Sequence, residues 1–363
     1  MRSAKSRSLK GQKVASLVGH LVRPNELTEA ERRLWGSFCD HRQGLRSPFF
    51  RYQYVEAVAQ CRGLVWVCVL ERSGSVVGFF PFQFRTRFHA AIRAAERVGE
   101  EMTDYFGLVA CEDLRLVPDE LLRLARLQHF YFSHLEQSQA EHGLTGERCD
   151  AGLRTCLDEG PEAYWRSLQT RNAKFVADTE RRQKKSERDL GPLRLELGGN
   201  DDDLDTLIVR KRRQFNRTGA VDALEAPWKR QLLHRLLKLS ERQCRGVLAS
   251  LYAGDTWLAS HFGIAGADML QYWFPVYNSD ANKYAPGRLL EKFIIDRTPE
   301  LKVTAIDRGA GDTPSKRELA NYSHLFYRGV WFREDLRSLV PRAVYSLSWR
   351  FAKQPIKAGE QTV

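Results

Sequence analysis

Three strand-like segments joined by tight turns constrain this 363-residue chain more than any other feature. Residues 247–253, 256–264 and 269–277 are rich in apolar and aromatic side chains, and Ala253-Gly254-Asp255 and Ala265-Gly266-Ala267-Asp268 are turn sequences between them. Together they predict an antiparallel meander. Directly after it, Asn282-Lys283-Tyr284-Ala285-Pro286-Gly287-Arg288-Leu289-Leu290 puts Pro and Gly at the start of a helix-spaced run that reaches about Arg297. The first N–H groups of a helix have no internal partner and sit at its electropositive end, so this start is a candidate phosphate seat. A plain strand-to-helix turn is the alternative.

The flanking segments extend the pattern. Residues 193–197 alternate as a half-buried strand, and 203–215 and 227–242 have helical spacing. After the Pro-Gly helix come a strand at 303–306 with Asp307 at its end, a Gly-rich loop at 308–313, a short helix at 314–320 and a strand at 325–332. Upstream, 27–40 and 49–62 read as helices, and 64–71 and 75–84 as a hairpin around Arg72-Ser73-Gly74. A helix at 118–128 and strands near 129–135 and 153–157 complete a mixed α/β first half. The expected division is a loose basic leader (1–24), an N-terminal domain (25–158), a long basic linking helix (159–190), a C-terminal domain (191–340) and a tail (341–363).

Composition narrows the class. The seven cysteines form no CxxC pair, which fits a reduced, cytoplasmic protein. Residues 14–22 are too short and too broken by Gly19 and His20 for a signal peptide, and no apolar run reaches membrane-span length. No His/Cys cluster has metal-ligand spacing, and neither a Gly-x-Ser-x-Gly nor a P-loop occurs, which argues against serine hydrolases and kinases. The formal net charge of +12 favours an anionic partner without choosing one. The helix with Arg171, Lys174, Arg181, Arg182, Lys184, Lys185 and Arg188, against Asp178, Glu180 and Glu187, is the most highly charged stretch. That segment reads as a solvated face, or as a contact for anionic glycan, a membrane surface or tRNA.

The residues carry a resemblance. Tyr164-Trp165-Arg166-Ser167-Leu168, Ser260-His261-Phe262-Gly263, Tyr284-Ala285-Pro286-Gly287-Arg288-Leu289-Leu290 and Ile306-Asp307-Arg308-Gly309-Ala310-Gly311-Asp312 with Lys316 resemble the CelD/BcsL-like branch of the GNAT acyltransferases. That branch is associated with cellulose and exopolysaccharide biosynthesis, and it is similar to the FemAB-type tandem transferases. Residues 160–335 carry most of the likeness; 45–110 match more weakly, through Pro48-Phe49-Phe50, Val77-Gly78-Phe79-Phe80-Pro81 and Asp104-Tyr105-Phe106-Gly107. The resemblance implies an α/β (α+β) fold of tandem GNAT-like domains, each a mixed, mostly antiparallel sheet flanked by helices. It implies an acyltransferase that moves an acyl group from acyl-CoA, a co-substrate rather than a tightly bound cofactor, to an amine or hydroxyl of a sugar or exopolysaccharide precursor. Only the Pro-Gly core of the usual CoA loop is present. A FemAB-like aminoacyl-tRNA-dependent transferase and a non-catalytic scaffold in a polysaccharide-synthesis assembly are therefore the alternatives.

Site residues follow. Tyr284, Ala285, Pro286, Gly287 and Arg288 are the candidate donor loop, with Gly287 allowing close backbone approach and Arg288 a charge-assisted bond. His261 shares a strand face with Trp257, Ala259 and Gly263, and its near-neutral ordinary pKa suits a base; a hydrogen-bonded sheet histidine is the alternative. Asp307 is a second catalytic candidate or a loop cap. Trp273 and Tyr277, expected on one strand face, are candidate substrate platforms or core, and Lys316 a phosphate or acid contact or a solvated lysine.

Overall fold

The computed structural model describes residues 16–335. Fourteen strands make one sheet: β1 (Leu17–Val22), β2 (Val65–Arg72), β3 (Ser75–Gln83), β4 (Ala94–Glu96), β5 (Val109–Ala110), β6 (His129–Glu136) and β7 (Glu147–Cys156), then β8 (Leu193–Leu197), β9 (Ser240–Glu241), β10 (Cys244–Ala253), β11 (Thr256–Ala265), β12 (Met269–Tyr277), β13 (Ala305–Ala310) and β14 (Tyr322–Phe332). Their spatial order is β1-β2-β3-β4-β6-β14-β7-β13-β12-β11-β10-β8, with β5 beside β3 and β9 beside β10. The sheet is mostly antiparallel and flanked by helices, with parallel pairing at β4–β6 and β12–β13.

The two halves repeat one plan, an antiparallel meander followed by a parallel neighbour, and they exchange their last strands. β14 pairs with β6 of the first half, β7 pairs with β13 of the second, and β7 and β14 pair with each other. The boundary expected at residue 158 thus falls just after a strand that completes the other half's sheet. The halves interlock rather than close one by one. A continuous core crosses between them, with Trp35, Tyr54 and Phe79 in the same cluster as Leu204, Leu233, Phe262 and Phe274.

Local chemistry explains the elements that the sequence announces. Ser73 and Gly74 both have positive φ, 54° and 77°, the geometry of a tight two-residue hairpin turn, and they join β2 to β3. Asn200 caps the helix Asp201–Thr218 by accepting from the N–H groups of Asp202 and Asp203.

Three expectations need correction. The leader is not loose over its described part: β1 pairs in register with β2, Leu17 opposite Arg72 through Val22 opposite Val67. Its residues 1–15, and the tail 341–363, lie outside the described residues. The linking helix 159–190 is two helices, Gly160–Arg171 and Ala173–Leu190, because Asn172 leaves helical geometry (φ −148°, ψ 64°) and its side chain caps the second at Phe175 N–H. Asp307 does not end its strand. β13 runs on to Ala310, with Gly309 at φ +65° where a side chain would be strained.

Candidate active site

The site forms where β12 and β13 part. Their parallel ladder holds Met269 opposite Ala305, Leu270 opposite Ile306 and Gln271 opposite Asp307, and stops there, although both strands continue. At the same level β12 bulges: Phe262 faces Phe274 and Ile264 faces Gln271, so Gly263 stands opposite both Tyr272 and Trp273. Any side chain at residue 263 would strike the Gln271 carbonyl and come within 2.6 Å of the His261 ring.

The bulge redirects every side chain after it. Trp273 and Phe274 both join the core between the halves, and Trp273 meets Phe49 edge-on at 5.3 Å. Tyr277 packs instead with the second half's own core, on the opposite face. Trp273 and Tyr277 therefore do not share a face as the alternation predicts, because one inserted residue reverses it.

His261 is fully buried, stacked on Tyr272 with ring centroids 4.1 Å apart and planes 4° apart. Its Nε2 accepts from the bulge N–H of Trp273 at 3.1 Å, which leaves the proton on Nδ1 without a partner. Burial, reinforced by Lys211, lowers its pKa to about 3. A ring with its one lone pair committed and so low a basicity does not collect a proton from an acceptor at neutral pH. This geometry favours the alternative of a hydrogen-bonded sheet histidine, which holds the bulge in place.

Asp307 is equally buried and fully engaged. Its Oδ2 accepts from Tyr105 Oη at 2.6 Å and Arg154 Nε at 3.1 Å, and its Oδ1 from Gly309 N–H at 2.8 Å. Burial alone would raise its pKa, but Arg154, His324 and these donors outweigh it and hold the carboxyl below its ordinary value. His324 Nε2 lies 2.7 Å from Tyr105 Oη. Since Tyr105 gives its proton to Asp307, His324 donates from Nε2 and keeps a bare Nδ1, which has no partner.

The cleft beside this network holds Lys316 and Asp104, both partly exposed. Lys316 Nζ donates to Ala310 O at 2.7 Å, and burial, only partly countered by Asp104 and Asp307, lowers its pKa. Asp104 Oδ2 accepts from Gln271 Nε2 at 3.3 Å, while Gln271 Oε1 is buried without a partner. The sequence pattern does not single out Asp104, Tyr105, Arg154 or Gln271 as site residues, whereas His324 and Tyr322, just after the last short helix, are placed to line the same cleft. The motif Asp104-Tyr105-Phe106-Gly107 was the one signal, and nothing in it says that these residues meet β13.

The Pro-Gly loop frames the other side. Ala285 takes left-handed geometry (φ 53°), and Pro286 begins the helix Pro286–Asp296. A Cβ on Gly287 would meet nothing within 4 Å, so the helix start is open there. Its neighbours are less free. Tyr284 is buried and donates to Asp189 at 3.1 Å, and Arg288 pairs with Asp178 at 2.8 Å while lying 4.5 Å over the Phe175 ring. Arg182 donates to the Lys283 carbonyl at 3.1 Å. The basic helix thus grips the loop from outside, and Arg288 shares the Asp178 carboxylate with Arg181 and Arg182 instead of standing free. Among the described residues no cluster of His, Cys, Asp and Glu could hold a metal ion, and no helix is long and apolar enough to cross a membrane.

Residues 173–317 match the family model described as an acetyltransferase (GNAT) domain. No curated protein sequence matches the chain. Among solved structures, FemX shares 10% identity over 90% of this chain and 99% of its own, with a TM-score of 0.56. A conserved protein of unknown function from Bacteroides thetaiotaomicron shares 12% identity over 85% and 98%, with a TM-score of 0.55. The C-terminal domain of a putative lysylphosphatidylglycerol synthetase from Agrobacterium fabrum shares 14% over 88% and 98%, with a TM-score of 0.51. At these identities the likeness concerns the fold. Residues 173–317 are thus the part of the chain that matches an acetyltransferase (GNAT) domain, which supports an acyltransferase.

Proposed function

We propose that the protein transfers an acyl group from acyl-CoA to an amine or hydroxyl of a sugar or exopolysaccharide precursor. The donor's pantetheine arm lies between the parted β12 and β13, and its pyrophosphate sits at the start of Pro286–Asp296. The observations that carry this reading are the end of the β12–β13 ladder at Gln271 and Asp307 and the unobstructed Gly287 at the start of a helix that packs on β11 and β12. Beyond that point the facing strand edges have backbone groups that a peptide-like arm can pair with. Attack is direct, with no covalent enzyme intermediate. Backbone N–H groups along β12 stabilise the oxyanion, and Lys316 contacts the acceptor. The sugar acceptor rests on the likeness of the motifs to the CelD/BcsL-like branch.

A second reading draws on the pairing of Arg288 with Asp178, which ties that guanidinium to the basic helix rather than leaving it free for a diphosphate. FemAB-type transferases, which the motifs also resemble, use aminoacyl-tRNA, and the exposed Arg181, Lys184 and Arg188 would meet its phosphates. Calorimetric titration with acetyl-CoA and with tRNA separates the two. Acetyl-CoA binding that Gly287→Trp weakens at least about tenfold, or about 1.4 kcal/mol, supports the first. Binding of tRNA alone, lost on neutralising Arg181, Arg182, Lys184 and Lys185, replaces it with the second.

A further inference from the structure

The groups around the fork are not equivalent as proton acceptors. Asp307 has both oxygens committed, His261 has its lone pair committed, and the His324 pKa is lowered to about 4, chiefly by burial. Asp104 differs from all three. It comes from the first half and stands across the vertex of the fork. Its Oδ2 is held by Gln271, the last residue of β12 paired to β13, and lies 2.7 Å from where a Cβ on Gly309 would be. Its Oδ1 accepts from no protein group among the described residues, and the side chain keeps part of its surface open. The neighbouring Gln271 Oε1 is buried and wants a donor, which the N–H or O–H of an acceptor would supply.

We propose that Asp104 is the general base that takes the acceptor's proton. This rests on the acyl-CoA reading above. The acceptor nitrogen or oxygen forms a bond to the thioester carbonyl carbon as the C–S bond breaks. Its proton passes to the Asp104 carboxylate, CoA leaves as a thiolate that is reprotonated from water, and Asp104 returns its proton to water. The charged groups facing Asp104 are Lys316, Arg97 and Asp307. Burial, with a smaller push from Asp307, outweighs the two cations and raises the Asp104 pKa to about 6, ionised yet still basic at neutral pH.

The test uses the full chain with acetyl-CoA as donor and glucosamine as probe acceptor, following release of CoA thiol. D104N should lower kcat by about a hundredfold or more while leaving the calorimetric acetyl-CoA affinity within about twofold, roughly 0.4 kcal/mol. D104E, which keeps a carboxylate, should recover part of the rate and so separate chemistry from a folding defect. In the wild type, kcat/KM should fall below about pH 6, as expected from the raised pKa. Any acid limb that D104N shares belongs to the amine, and the limb it loses belongs to Asp104. A D104N rate within about threefold of wild type, far short of a base's usual contribution, overturns the proposal. So does a wild type that binds acetyl-CoA and releases no thiol toward the probe. Absence of acetyl-CoA binding overturns the donor reading itself.

Discussion

The hydroxyl of Tyr105 donates to Oδ2 of Asp307 at 2.6 Å, joining residues 202 positions apart across the two halves. Both are buried, and Tyr105 Oη also accepts from Arg154 Nη2 at 3.2 Å. Tyr105→Phe removes this donor and leaves Asp307 and His324 each short of a partner. Urea unfolding should show a loss of about 1–3 kcal/mol. An unchanged midpoint would mean that the network contributes no stability.

Asp104 carries a cost that can be measured without any substrate. Its folded pKa of about 6 is above its ordinary 3.8. A raised folded pKa contributes stability at low pH that is lost as pH rises through that value. D104N should therefore melt higher than wild type at pH 8, by the equivalent of about 1–3 kcal/mol. The gap should close below about pH 4, the ordinary carboxyl range. Scanning calorimetry at the two pH values gives the answer.

Histidines push the other way, most strongly the half-buried His134 and the buried His261 and His324. His134 and His261 have pKa values lowered to about 3 and His324 to about 4, burial being the first cause in each. A depressed folded pKa contributes stability above the unfolded value that is lost as pH falls toward the folded one. The window runs from about pH 6.5 down to pH 3–4. Each histidine removes about 1.4 kcal/mol per pH unit there, and Asp104 offsets one of them between about pH 6 and 4. Urea midpoints should fall steeply from pH 6.5 to 4.5, and His261→Asn should flatten the slope. A flat wild-type profile would contradict neutral burial of these rings.

The exchanged strands predict cooperative unfolding. Since β7 completes the sheet beside β13 and β14 completes it beside β6, neither half retains its hydrogen-bonded edge alone. Calorimetry should show one transition. A chain starting at residue 159 should aggregate, whereas one starting at 144, which includes β7, should be more soluble. Two separate transitions would refute the interlocking.

Short-range chemistry made much of this fold legible. The Ser73-Gly74 turn, the meander, and Pro286 at a helix start are decided within a few residues, and they stand as read. Three things were not legible. The bulge opposite Gly263 changes the facing of Tyr277 through one extra residue in the pairing, and no local pattern encodes that. The fate of Arg288 depends on Asp178, 110 positions away. Asp104 acquires its raised pKa from burial in the folded chain, and the side chain that donates to it, Gln271, lies 167 positions away. Sequence spacing identified the strands, and the chemistry came from which strands were brought together.

The exchange of β7 and β14 also sets a clock on synthesis. β6 ends at Glu136, and its partner β14 begins at Tyr322, 186 residues later (322 − 136). At about 5–20 residues per second, that edge waits roughly 10–40 s on the ribosome for its neighbour. During that interval the first half presents one open edge of β6, the strand that carries Phe130 and Phe132 and is paired to β4 on its other side, a sticky edge in a crowded cell. The nascent chain is thus at its most vulnerable long before its second half exists, and a holdase acting early in translation would matter more to its yield than one acting after release.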